Sequence, residues 1–183
     1  MTGPRRIPAL PRLAAIRRRG LGPWRIAVVE ASMLPAIESG DWLLVDPTVA
    51  RWPRRGSVVV FREPGTGDLA IKRVAARPGD WIPFADGWLQ LAEDEAWLVG
   101  DATDEALQGA GFGPAVDSRR YGPVPVEALV ARAWFRYGPV RRIGRLAPPP
   151  ADLLERGREG RIPVPSPADA DGPVAPPPGR LLP

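Results

Sequence analysis

Short apolar runs, each stopped by a glycine, proline or aspartate turn, limit how this chain can fold. Ile26–Val29, Trp42–Val45, Ser57–Phe61, Leu69–Ala76, Trp88–Leu91, Trp97–Val99 and Leu129–Phe135 are rich in β-branched or aromatic residues. Pro64-Gly65-Thr66-Gly67-Asp68, Pro78-Gly79-Asp80 and Asp86-Gly87 are among the turns between them. Strand-length runs at this spacing predict a mainly β fold, a coiled antiparallel sheet or partly open barrel, and argue against a βαβ fold. The segment from Trp24 to Tyr137 is long enough to bury an apolar interior without disulfides. Its seven tryptophans supply bulk for core and rim, and one or two beside a cleft would serve equally to hold substrate or touch a membrane interface.

The two ends differ from this core. Residues 1–25 carry seven arginines and no acid, so in a chain of net charge +4 the remainder sums to −3. The basic excess therefore lies in an N-terminal arm, residues 1–23, and says nothing about the rest. Leu10, Leu13 and Ile16 would form one face of a short helix there, suited to peripheral contact with anionic lipid; a solvated arm fits the same composition. No groove-reading motif accompanies it, so no nucleic acid is expected as a partner. From residue 147 to 183 the chain is rich in proline, which predicts an extended, disordered tail with at most a helical turn or two over Leu153–Arg161. The longest stretch free of Asp, Glu, Lys and Arg is Ala106–Val116, far short of the roughly 20 apolar residues that span a bilayer. No apolar signal segment opens the chain, and a cytoplasmic protein without a transmembrane segment is the expectation.

The chain has no histidine and no cysteine, and of its 25 basic residues only Lys72 is a lysine. No Ser-His-Asp triad, Cys-His pair or thiolate metal site can be built, and neither a metal nor another cofactor is expected. A hydrolase made from this composition must take its general base from the one amine that can titrate usefully, because arginine does not deprotonate. Serine with lysine is the remaining nucleophile–base combination. Leu69–Ala76 reads L-A-I-K-R-V-A-A. Strand alternation puts Lys72 on a face with Ala70, Val74 and Ala76 and turns Arg73 the other way. Desolvation there lowers an amine pKa, and a fall of roughly 3 units, about 4 kcal/mol, would make the lysine a base near neutral pH. A lysine stem crossing an apolar surface gives the same pattern. On the other side, Ser32-Met33-Leu34-Pro35 follows an apolar run that ends at Val29. A serine at such a strand-to-turn junction can leave its backbone N–H free for an oxyanion, and an ordinary turn serine reads alike.

Ordered motifs separate these readings. The chain runs S-M-L-P (Ser32–Pro35), G-D-W-L-L-V (Gly40–Val45), R-G-S-V-V-V-F (Arg55–Phe61), I-K-R-V (Ile71–Val74), P-G-D (Pro78–Asp80), L-V-G-D (Leu98–Asp101) and D-S-R-R-Y-G-P-V-P (Asp117–Pro125). From about Ile26 to Ala133 this resembles the signal peptidase I family of Ser-Lys endopeptidases. The resemblance implies Ser32 as nucleophile, Lys72 as general base, and an Asp117–Arg119 pair supporting the site with Asp101 and Ser118 nearby. It further implies Met33, Ile71 and Arg73 as substrate-binding positions, and a protein or peptide substrate with small residues near the cleavage site, paired with strand edges. The compact length is similar to the soluble branch of the family, which includes maturation proteases for nickel-type superoxide dismutase precursors.

Three positions depart from the family pattern. Glu30 stands where a small residue usually helps to form the oxyanion hole, Ala102 follows Gly100-Asp101 where asparagine is usual, and Ala115 replaces a serine that often contacts the lysine. The glycine-rich segment Ala102–Val116 is expected to be a mobile flap. Two other functions stay open: a non-catalytic binding module on the same fold, and a self-cleaving regulator of the LexA-like type. The latter needs an upstream helix-turn-helix and cleavage dipeptide, neither of which is evident.

Overall fold

A computed structural model of the chain describes residues 24–84 and 87–153. The basic arm, the turn at residues 85–86 and the proline-rich stretch beyond Leu153 lie outside the described residues. Ten strands occur among those described: β1 Trp24–Ala27, β2 Trp42–Asp46, β3 Val58–Arg62, β4 Leu69–Ala76, β5 Trp81–Phe84, β6 Gly87–Gln90, β7 Glu95–Val99, β8 Val124–Pro125, β9 Leu129–Gly138 and β10 Gly144–Arg145. Two short helices, α1 Asp104–Gly109 and α2 Ser118–Tyr121, lie between β7 and β8.

The fold is mainly β, as the strand-and-turn rhythm predicts. Seven strands form one antiparallel path in the order β1-β2-β9-β3-β4-β7-β8, with β10 added on β9, and β5-β6 is a separate hairpin. Register shifts interrupt the ladders between β2 and β9, β3 and β9, and β4 and β7. Such bulges increase local twist and curl the sheet into a half-barrel. Each face then acquires its own core. Val58, Val60, Ile71 and Ala131 join Met33 and Ile37 in one cluster, while Val59, Phe61, Ala70 and Val74 pack with Leu98, Val124 and Trp52 in another. Strands β3 and β4 are buried on both faces, which is why V-V-V-F and L-A-I-K-R-V-A-A are nearly continuous apolar runs. Fully burying each aliphatic side chain stabilises the fold by about 1.5–3 kcal/mol.

The tryptophans divide as their positions demand. Trp52 and Trp97 are core, and Trp52 satisfies its indole N–H on the Asp94 carbonyl at 2.8 Å; Trp42, Trp81 and Trp134 stay exposed.

Several elements differ from the sequence expectation. β5 contains Pro83, which reads as a breaker, yet a two-stranded hairpin has open edges where a missing N–H costs little. Ala102–Val116 is not a loop throughout. Thr103 caps α1 by accepting from the Ala106 N–H at 3.2 Å, and Asp104 and Glu105 occupy its first turn. Ala102, Leu107 and Ala115 are buried with Ala31 in a small cluster that fixes the segment against the body. The first part of the proline-rich stretch is also packed. The Ala147 carbonyl accepts from Arg73, Pro149 lies over Gly56, and Leu153 joins the Trp97 cluster.

Candidate active site

Ser32 sits in the turn after β1, where the chain coils back: the Leu34 N–H bonds Ala31 O at 3.0 Å and the Ile37 N–H bonds Met33 O at 2.9 Å. Met33 and Ile37 bury their side chains beneath the turn and anchor it. The Ser32 carbonyl is held from the far side by the Ala102 N–H at 3.1 Å. Gly100 makes that approach possible, since a Cβ there would lie 2.5 Å from Ser32 O. The Ser32 N–H itself has no acceptor among the described residues.

Lys72 lies mid-strand in β4, opposite Val59 of β3. Its Nζ is 2.7 Å from Ser32 Oγ, and only 2% of the residue is exposed. Desolvation, the dominant influence, lowers the amine pKa from its ordinary 10.5. The charges of Glu30, Asp117 and Glu63 oppose that fall, and Arg119 adds to it. The expected apolar face is present in Ala70 and Val74, which share a cluster with Val59. Ala76 is carried into the neighbouring cluster with Ala75, because the β4–β7 register shifts between Val74 and Ala76.

Behind the pair lies a buried polar support. Asp117 is fully buried, caps α2 through the Arg119 N–H, and takes two further bonds of 3.0 Å from the Arg119 guanidinium. Its second oxygen also accepts from the Gly100 N–H at 3.2 Å, so one carboxylate ties α2 to the residue that abuts Ser32. Ser118 Oγ accepts from the Leu98 N–H at 2.9 Å and fastens the same helix to β7. Asp101 and Arg73 form a separate buried ion pair at 2.7 Å.

A recess of about 10 Å³ adjoins Ser32, lined by Val28, Val29, Glu30, Met33, Leu69 and Ile71. Met33 and Ile71, expected at the substrate, both line this recess and are themselves buried. Arg73 does not: its guanidinium is occupied by Asp101, Gly56 O and Ala147 O. Glu30 is exposed at the rim and is not in an ion pair among the described residues. Ala115 is buried and spends its N–H on Asp104 at 3.1 Å. β4 pairs with β7 only from Arg73 onward, which leaves Leu69–Lys72 bonded on one side, to β3. That half-open edge and the closeness of Gly100 to Ser32 are the features sequence reasoning missed. The repeated G-D of L-V-G-D was their only trace. No group of residues suited to hold a metal ion occurs among those described, and no described helix is long and apolar enough to cross a membrane.

Comparison with known proteins gives concordant results. The family model described as "Signal peptidase, peptidase S26" matches residues 7–108, more than half of the chain. A signal peptidase I of Leptolyngbya laminosa is 29% identical over 66% of this chain and 71% of its own length. The mitochondrial ATP-independent inner membrane protease subunit 1b of Arabidopsis thaliana is 33% identical over 65% of this chain and 72% of its own. Thylakoidal processing peptidase 1 of the same plant is 25% identical, and the match spans only 42% of that longer protein. A curled β-sheet with this likeness defines a serine peptidase, a peptide-bond hydrolase. Within that class the chain belongs to the signal peptidase family, peptidase S26.

Proposed function

We propose that the protein is a Ser-Lys endopeptidase that removes an N-terminal leader or pro-peptide from a protein substrate. The observation that carries this reading is the 2.7 Å approach of the only lysine, buried and pushed toward neutrality, to Ser32 Oγ. With Nζ neutral, its lone pair accepts the Ser32 O–H proton as Oγ attacks the scissile carbonyl. The resulting oxyanion is met by the Ser32 N–H, which has no competing acceptor among the described residues. Lys72 then protonates the leaving amine, and water repeats the sequence on the acyl-enzyme. The Asp117–Arg119 pair, through Gly100, holds the serine turn in place. An extended substrate pairs with the open side of Leu69–Lys72, and the small recess bounded by Met33 and Ile71 admits side chains no larger than alanine. Peptidase names among the relatives, including the inner membrane and thylakoidal processing enzymes, support leader removal.

The test is cleavage of peptides carrying alanine at the residues preceding the scissile bond. Wild type should cut them, and Ser32→Ala and Lys72→Ala should each lose at least about a thousandfold in kcat/KM. Retained cutting by Lys72→Ala would end the dyad assignment. A wild type inert toward both the library and leader-bearing proteins would favour the binding-module reading, for which Glu30 and Ala115 are the arguments.

A further inference from the structure

Away from Ser32 the molecule has a second concave feature, a groove of about 540 Å³ bounded by the start of β3, the middle of β9 and the chain that follows β10. Arg54, Arg55, Arg73, Arg132 and Arg145 line it, and no carboxylate does. Two of these charges are matched, Arg55 by Asp80 at 2.6 Å and Arg73 by Asp101. Arg54, Arg132 and Arg145 are in no ion pair among the described residues. Asp46, the cross-strand partner of Arg132, gives its carboxylate to the N–H and hydroxyl of Thr48 instead. Three exposed guanidiniums thus share one concavity, and the charge of Asp46 reaches only Arg132 among them. Guanidinium presents a planar fork of donors that matches phosphate oxygens.

The groove is not polar throughout. Trp134 lines it and is 45% exposed, and outside its lining, in the turn between β9 and β10, Val140 is 86% and Ile143 52% exposed. A site for a free phosphate ester would need only the charges. Arginines beside an open tryptophan and out-turned aliphatics match the boundary between headgroups and acyl chains, where tryptophan concentrates and basic residues gain about 1 kcal/mol each on an anionic surface.

We propose that this groove binds the phosphate headgroup of an anionic phospholipid and seats the molecule on a lipid surface. Arg73 lines the groove from the same face of β4 as Ile71 of the Ser32 recess, yet the two concavities share no lining residue. A lipid held there leaves the Ser32 recess open, so surface docking and peptide access do not compete. The proposal stands independently of the peptidase reading.

The test uses the full chain and co-sedimentation with mixed phosphatidylcholine–phosphatidylglycerol vesicles, with phosphatidylcholine vesicles as reference. Arg132→Gln with Arg145→Gln should weaken binding to the anionic vesicles by roughly thirtyfold. Arg62→Gln with Arg120→Gln, which makes the same charge change outside the groove and away from the β9–β10 turn, should weaken it far less, and this control separates the groove from the basic N-terminal arm. Wild type should show a blue-shifted tryptophan emission on the vesicles that Trp134→Phe removes. Equal loss in the two double variants, equal binding to both kinds of vesicle, or an unchanged shift in Trp134→Phe would each overturn the proposal. Calorimetry with glycerol phosphate separates the source: saturable binding of it without vesicle binding would assign the groove to a soluble phosphate ester and overturn the lipid assignment.

Discussion

Lys72 places an amine where its charge is disfavoured, beside a hydroxyl that profits from a neutral partner. Burial lowers the pKa, and the exposed carboxylate of Glu30 is the largest influence pulling it back up. Cleavage that needs the neutral amine rises with pH through the lysine pKa, so its acid limb should fall below the ordinary 10.5. Glu30→Gln removes the opposing charge, and the limb should then move to lower pH in a kcat/KM profile. A limb that stayed fixed or moved upward would contradict this electrostatic account. Gly100 acts by having no side chain. In Gly100→Ala the new Cβ would meet Ser32 O at 2.5 Å, so the serine peptide must shift. A displacement approaching 1 Å costs on the order of a hundredfold in rate, and we expect that loss in kcat with the chain still folded. Neither effect was legible in the sequence. Glu30 stood out there as a departure near the nucleophile, but its coupling to Lys72 depends on a fold that closes forty residues of separation. Glycine in L-V-G-D reads as a turn, and only the backbone of another segment gives it its role.

Among the elements, β4 was the most readable because burial on both faces leaves one unbroken apolar word around a single charge pair. What the strand pattern hid was the fate of that pair. Lys72 meets Ser32, whereas Arg73, expected at the substrate, is bound by Asp101 inside the body. Helix α1 escaped notice because glycines further along its segment outweighed the Thr-Asp-Glu start, and β5 because of Pro83. The Asp117–Arg119 pair was legible only through motif order, since α2 is a single turn with no periodicity to detect. Its energetic weight is testable. Asp117→Asn keeps the size but removes the charge that the Arg119 guanidinium, 18% exposed, meets at 3.0 Å. Breaking such a pair costs about 3 kcal/mol, which should appear as a lower urea midpoint with an unchanged m-value. An unaltered midpoint would mean that α2 is held mainly by Ser118 and packing.

At the scale of the whole molecule, the half-barrel and its antiparallel character followed from the rhythm of runs and turns, while the closing segment did not. Composition places residues 147–153 with the tail; the structure packs them on the sheet. Proline-rich chain lacks large apolar side chains, but it needs few when one carbonyl meets a buried guanidinium and one leucine finds a pocket. A chain ending at Leu146 loses the Ala147 acceptor for Arg73, the Pro149 cover over Gly56 and the buried Leu153. Relative to a chain ending at Leu153, it should be less stable by about 3–6 kcal/mol, summing a charged hydrogen bond and a buried leucine, as read by urea unfolding. Equal midpoints would show the segment to be only laid on the surface.

The solitary buried lysine has one more consequence, for how the protein can be watched. Every other side-chain nitrogen cation in the described molecule is a guanidinium, so protein grown on ¹⁵N-labelled lysine carries its label on one side chain. Its Nζ resonance needs no assignment, and its chemical shift reports, at one atom and without a substrate, the protonation on which the whole proposed chemistry turns.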